Sequence, residues 1–278
     1  MSTLHAVHSP HRLKIYRQGL AEPLLVQHAS SGARPYIHPL AAPDGGGVLT
    51  EDTPPHHPWQ HGLYIGLNDV NGVGFWTEGL GNEKASDGIF HPAPLKAPTI
   101  DDRSATWQVC CEWLSPAGTP MLDEVQTWRL VDCGDTLCLD MVWRLRARID
   151  ITFGPYGYGG LFLRMPYDAT SGGQVLTSEG HERQLEAEGR PARWVAVCMP
   201  IAGRDDGAGI AMMDHPDNQG HPNPWRVDNQ FGIAPSRCIT GPWQLPSGQD
   251  STSRYRLFAF GGNIDVARIE TSWGDFVS

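Results

Sequence analysis

At 278 residues the chain has room for one large β-sandwich or two smaller domains, and 32 glycines with 23 prolines leave little space for long uninterrupted helices. A formal net charge of -10 repels phosphate backbones and anionic lipid surfaces, which sets nucleic acid and membranes aside as partners. No stretch has the apolar length of a bilayer span, and the start MSTLHAVHSPHRLK lacks the apolar segment of a secretory signal, so the expectation is a cytoplasmic protein.

Period-two alternation, which marks strands with one buried face, recurs along the chain. Over residues 106–114, Trp107, Val109, Cys111 and Trp113 share one face while Gln108, Cys110 and Glu112 take the other. Residues 124–131 read as a second strand, and the turn Asp132, Cys133, Gly134, Asp135 joins it to a third at 137–146, where Leu137, Leu139, Met141, Trp143 and Leu145 align. Further strands are predicted at 161–165, 194–199, 209–213 and 254–260, and the only helical turn at 182–188. No repeat, linker or low-complexity tract divides the chain. The pattern therefore predicts an all-β fold, a large antiparallel β-sandwich, as a single domain over residues 1–278. The six cysteines lack metal-type spacing, and several fall in alternating segments as small hydrophobes, so free thiols are expected.

Three loop-like segments carry residue types that packing alone does not call for. The first, His56-His57-Pro58-Trp59-Gln60-His61-Gly62, places imidazoles able to donate, accept or bind a metal near neutral pH beside Pro and Trp; the alternative is a solvated loop of hydrogen-bonded histidines. In the second, glycines around Tyr158 precede a strand that carries Arg164, a fixed fork for sugar hydroxyls or oxyanions, or else a buried cation that needs a carboxylate partner. The third runs from Asp214 to Arg226 and contains His215, Asn218, His221 and Trp225, stiffened by three prolines. Trp59, Trp76 and Trp225 could each stack on a sugar ring or sit in the core.

The blocks RPYIHPL, HHPWQHGLYIG, DVNGVGFW, GIFH, GYGGLFLR and DHPDNQGHPNPW, in that order, resemble the PmoA-like family of bacterial proteins over residues 36–260. The family's label of methane oxygenase fits poorly, since a particulate methane oxygenase subunit lies in a membrane and this chain has no span. The resemblance implies a galactose-mutarotase-like supersandwich, a small-molecule sugar substrate and a separate sugar oxidoreductase as working partner. It points to His57, His61 and Arg164 for chemistry, and to His91, His215, Asn218, His221 and Trp225, with Trp59 and Tyr158 beside them, for binding. A histidine base would start β-elimination on an oxidised, 3-oxo glycoside; mutarotation of an aldose and binding without turnover are the alternatives. A divalent metal held by histidines and Asp214 would offer Lewis-acid chemistry instead, and paired carboxylates for hydrolysis would have to come from Glu179 and Asp214.

Overall fold

The computed structural model describes residues 3–81 and 87–278. Two antiparallel sheets face each other, as the alternation predicts. The expected central strands are present as Ser104–Leu114, Pro120–Asp132 and Thr136–Ala147, and the faces sort as expected: Trp107, Val109, Cys111 and Trp113 are buried while Gln108 and Cys110 are exposed. The strands Gly160–Leu163, Trp194–Pro200, Gly207–Asp214 and Asp250–Gly261 answer the other four expectations, except that the first ends one residue before the Arg164 it was expected to carry. All six thiols are free.

Among the described residues one sheet has nine strands, with Gln174–Thr177 at one edge and Ile89–Pro92 at the other. The second has eleven. It begins with Leu4–Ser9, Arg12–Arg17, Leu25–His28 and Tyr36–Leu40, four strands outside the sequence expectations, and continues through Leu63–Val70, Gly160–Leu163, Ile233–Pro235 and Trp225–Val227. No helix of the described residues is long and apolar enough to cross a membrane.

The helical expectation needs correction. A short helix, Gln184–Ala187, lies within 182–188, but the helix Val266–Val277 is three times as long. The Asp265 side chain accepts from the Arg268 backbone N–H and caps its start. Ile269, Trp273 and Phe276 recur at helical spacing and pack on Trp194, Phe258 and Phe260 of the nine-stranded sheet.

Between the sheets lies one large apolar core containing Trp107, Trp113, Trp128 and Trp143. Indoles bring N–H donors that must be satisfied when buried. Trp107 donates across the sandwich to Gln27 at 3.2 Å, and Trp128 to Gln126 at 3.0 Å. Trp113 and Trp143 both donate to Glu124, at 3.1 and 2.8 Å, and Gln126 adds a third bond at 3.0 Å. Burial raises the Glu124 pKa, and the three donors counter it only in part.

An acid whose folded pKa is raised binds its proton more tightly in the folded chain, so stability falls as pH climbs from the ordinary carboxylate value through the raised one. Urea unfolding across that range is expected to show this decline in the wild type and not in Glu124→Leu. At the low-pH end the substitution is expected to cost about 3 kcal/mol through the donors it strands.

Candidate functional site

The site is set by strand register. Leu63 pairs with Leu163, and Leu163 pairs with Ile233, so the loop before the first strand, the residue after the second and the turn before the third meet at one end of three neighbouring strands. The Arg164 N–H donates to the Gly62 carbonyl at 2.6 Å, and the Glu51 N–H to the Arg164 carbonyl at 2.9 Å. A bridge between Asp52 and His61 closes the loop 52–61 on itself. In the turn, Asp228 accepts from the N–H groups of Gln230 and Gly232 at 2.9 and 2.8 Å.

On the outer face of the eleven-stranded sheet these loops frame a cleft of about 230 Å³, open to solvent. Trp59, Trp76, Tyr158 and Phe162 form its aromatic wall; His57, Gln60, Arg226, Asp228, Asn229 and Gln230 supply its polar groups. Trp76 lies 4.7 Å from Tyr158 and 5.4 Å from Phe162, ring centre to ring centre. This close approach needs Gly66 beneath it, because a Cβ there would stand 2.8 Å from the Trp76 ring and 2.6 Å from Arg34 Nη1.

The histidines of the first loop differ in state. His57 lines the cleft, and its Nδ1 is buried with no hydrogen-bond partner among the described residues, as are Trp59 Nε1 and Gln60 Oε1. Burial, then the His56 and Arg164 charges, hold the His57 pKa below the ordinary imidazole value, so it is neutral at neutral pH. His61 is clamped: Nδ1 sits 2.8 Å from Asp52 and Nε2 2.8 Å from Glu78. Burial opposes its charge, but the two carboxylates outweigh it and raise its pKa. Burial would also raise Glu78, yet Arg34 and then His61 bring that carboxyl down to about 2. The imidazole ring of His61 stacks on Tyr36 at 4.6 Å, and Tyr36 on His28 at 4.5 Å.

Arg164 lies behind the cleft, 1% exposed. Its Nε donates to Glu51 at 3.0 Å, Nη1 stands 3.6 Å from Asp228, and Nη2 donates to the Gln230 amide oxygen. His56 Nε2 reaches the same oxygen at 2.7 Å. The partner that an arginine inside an apolar run requires is therefore a pair of loop carboxylates, and its fork is fully engaged.

The third segment does not join the first two. Asp214 is fully buried at a strand end: Asn218 donates to it at 2.7 Å, the Asn223 N–H at 3.0 Å, and His221 Nδ1 stands 3.1 Å away. His221 stacks on Trp273 and His215 meets Phe276 edge-on, so both lie under the helix Val266–Val277. Trp225 is wholly buried, its N–H on the Ala192 carbonyl at 2.8 Å. His91 belongs to the other sheet, exposed and 3.2 Å from Glu112. Convergence thus holds for His57, Trp59, Tyr158, His61 and Arg164 and fails for His91, His215, Asn218, His221 and Trp225. The pairing of Asp214 with Glu179 fails too, since both Asp214 oxygens are taken inside the fold. For the same reason Asp214 does not fit a metal, and among the described residues no group of three or more His, Cys, Asp or Glu is arranged to hold one.

Sequence reasoning passed over Gln60, Phe162, Arg226, Asp228, Asn229 and Gln230, and the ion network Glu51, Asp52, Glu78 and Arg34. The polar run Asp228-Asn229-Gln230 before Phe231-Gly232, directly after a short strand, was the available turn signal. The sequence matches the family described as "Family of unknown function (DUF6807)" over residues 16–274. The chain belongs to this family. That description names no activity, so the PmoA-like resemblance stands only on the residues that carry it. No curated protein shows significant similarity to this DUF6807 chain. Similar solved structures include the α-galactosidase from Lactobacillus brevis, 8% identical with a TM-score of 0.45, covering 94% of this chain and 40% of that one. A galactose mutarotase related enzyme from Lactobacillus acidophilus is 8% identical with a TM-score of 0.39, covering 95% of this chain and 99% of that one. Galactose 1-epimerase from Lactobacillus acidophilus NCFM is 9% identical with a TM-score of 0.43, covering 94% and 100%. The DUF6807 chain thus spans 40% of the length of the α-galactosidase. Likenesses of this degree carry no information about the cleft.

Arg164→Met is expected to cost about 3 kcal/mol in urea unfolding, because Glu51 and Asp228 lose their common cation. His61→Leu should cost about 2 kcal/mol by the same measurement at low pH. A raised imidazole pKa stabilises fully below its unfolded value and fades as pH rises through the folded one, so this difference should shrink toward alkaline pH.

Proposed function

We propose that the cleft binds a carbohydrate and that His57 removes a proton from it, the substrate class being a 3-oxo glycoside. The observation that carries this reading is that three residues each holding an unpartnered buried polar atom, His57, Trp59 and Gln60, line one aromatic-walled cleft together. A pyranose has the matching chemistry, with an apolar C–H face for indole and phenol rings and hydroxyls for donors and acceptors at the rim.

Oxidation at C3 makes the C2 hydrogen acidic. Neutral His57 takes that proton, the electron pair forms the C1–C2 double bond as the C1–O bond breaks, and the proton passes from the imidazolium to the departing oxygen. Arg226, on the wall beside Tyr158, is the cation that meets negative charge developing on the carbonyl oxygen. Arg164 and His61 act as positioning residues: the first holds Asp228 and Gln230 in place, the second fixes the loop that carries His57. Mutarotation needs an acid opposite a base, and His61 has neither nitrogen free to serve, so the one-base elimination is the better fit. A separate sugar oxidoreductase would supply the 3-oxo substrate.

Incubation with a 3-oxo glucoside carrying a chromogenic leaving group, with its unoxidised parent and with a free aldose, is expected to give release from the oxidised compound alone. His57→Ala should reduce that turnover by about 10²–10⁴-fold while sugar affinity is retained. Activity should persist below the pH at which an ordinary imidazole protonates, as the lowered His57 pKa requires. Undiminished turnover in His57→Ala would remove the base; loss of affinity alone would leave a carbohydrate-binding protein.

A further inference from the structure

A second, small cavity of about 40 Å³ lies on the opposite side of the eleven-stranded sheet, between the two layers. Leu67 and Gly160 form one wall, Trp143, Ser251, Ser253 and Tyr255 of the nine-stranded sheet the other, and Arg237 with Trp243 closes it. Arg237 is the notable group. Among the described residues every other arginine that is not exposed has a carboxylate within ion-pair distance: Arg17, Arg34, Arg164, Arg193, Arg204, Arg226, Arg256 and Arg268. Among these residues the half-buried guanidinium of Arg237 has neither a carboxylate nor a hydrogen-bond partner; it lies 4.1 Å over the Trp243 ring.

A stacked guanidinium has its π-face occupied and its N–H edge free, which is the geometry for gripping two oxygens of one anion in the ring plane. The lining suits such a guest. It contains no Asp or Glu, although the chain has 31 of them. The Cys238 thiol is held neutral, its pKa pushed up by burial to about 11. Ser251, Ser253 and Tyr255 also line it, with Ser253 hydrogen-bonded to Tyr255. The backbone that carries Arg237 is fixed before any ligand arrives: the Gly159 N–H donates to Ser236 Oγ at 3.2 Å, the Ser236 N–H to the Pro224 carbonyl at 2.8 Å, and the Tyr156 N–H to the Cys238 carbonyl at 3.1 Å.

We infer that this inter-sheet cavity is an oxyanion-binding site, in which Arg237, stacked on Trp243, takes the carboxylate or phosphate group of a small ligand. The site shares no lining residue with the outer cleft, so it stands or falls apart from the carbohydrate reading.

Titration calorimetry on the full chain with inorganic phosphate and with acetate, against sodium chloride at matched ionic strength, tests the inference. Saturable binding of at least one of the two is expected, weakened at least about 10-fold in Arg237→Gln and retained in part by Arg237→Lys, which keeps the charge without the fork. Phosphate alone would assign a phosphorylated ligand, acetate alone a carboxylate one. Should the variants not fold, wild-type crystals soaked in the binding anion should show it against the Arg237 N–H edge. An anion response no different from chloride, equal binding by Arg237→Gln, or an anion seated elsewhere overturns the site.

Discussion

The guanidinium of Arg164 is the knot of this structure. Two loops remote in sequence, 51–62 and the turn 228–232, are held at the strand end that carries Arg164 because each presents a group to that cation or bonds its backbone. A buried cation costs several kcal/mol when alone and is tolerated only inside a nearly complete set of acceptors. Where the acceptors sit on loops, the requirement runs in reverse and orders the loops. The cleft is thus shaped by electrostatics from behind, while its visible wall is aromatic.

The same economy recurs one layer out. Arg34, also 1% exposed, holds Glu78, and Glu78 with Asp52 holds the His61 ring between them. Neighbouring imidazoles of one short loop are therefore pushed in opposite directions: the clamped one toward its charged form with both nitrogens occupied, the one lining the cleft toward its neutral form with Nδ1 unpartnered. Division of labour of this kind depends on which carboxylates lie within reach, and these come from outside the loop itself.

Legibility followed the range of the physics involved. Alternation is a local property, so the faces of Ser104–Leu114 and Thr136–Ala147 could be read directly, as could the glycine turn that joins two of the long strands. The amphipathic spacing of Ile269, Trp273 and Phe276 was equally local and was overlooked among so many turn residues. The fate of individual polar residues was not local. His57 and His61 are indistinguishable by type and differ through Asp52 and Glu78. Trp59 and Trp225 are both flanked by proline and end in a cleft and in the core respectively, a matter decided by register. The block around Asp214 looked chemical because it is dense in His and Asn, yet Asn218 and His221 are spent on Asp214, with His221 beneath a helix.

Glu124 carries one further consequence. Two indoles of the inner layer share a single carboxylate whose charge changes with pH, so the emission colour and yield of Trp113 and Trp143 must respond to its ionisation. The centre of the sandwich thereby carries its own optical reporter of that ionisation, without a label.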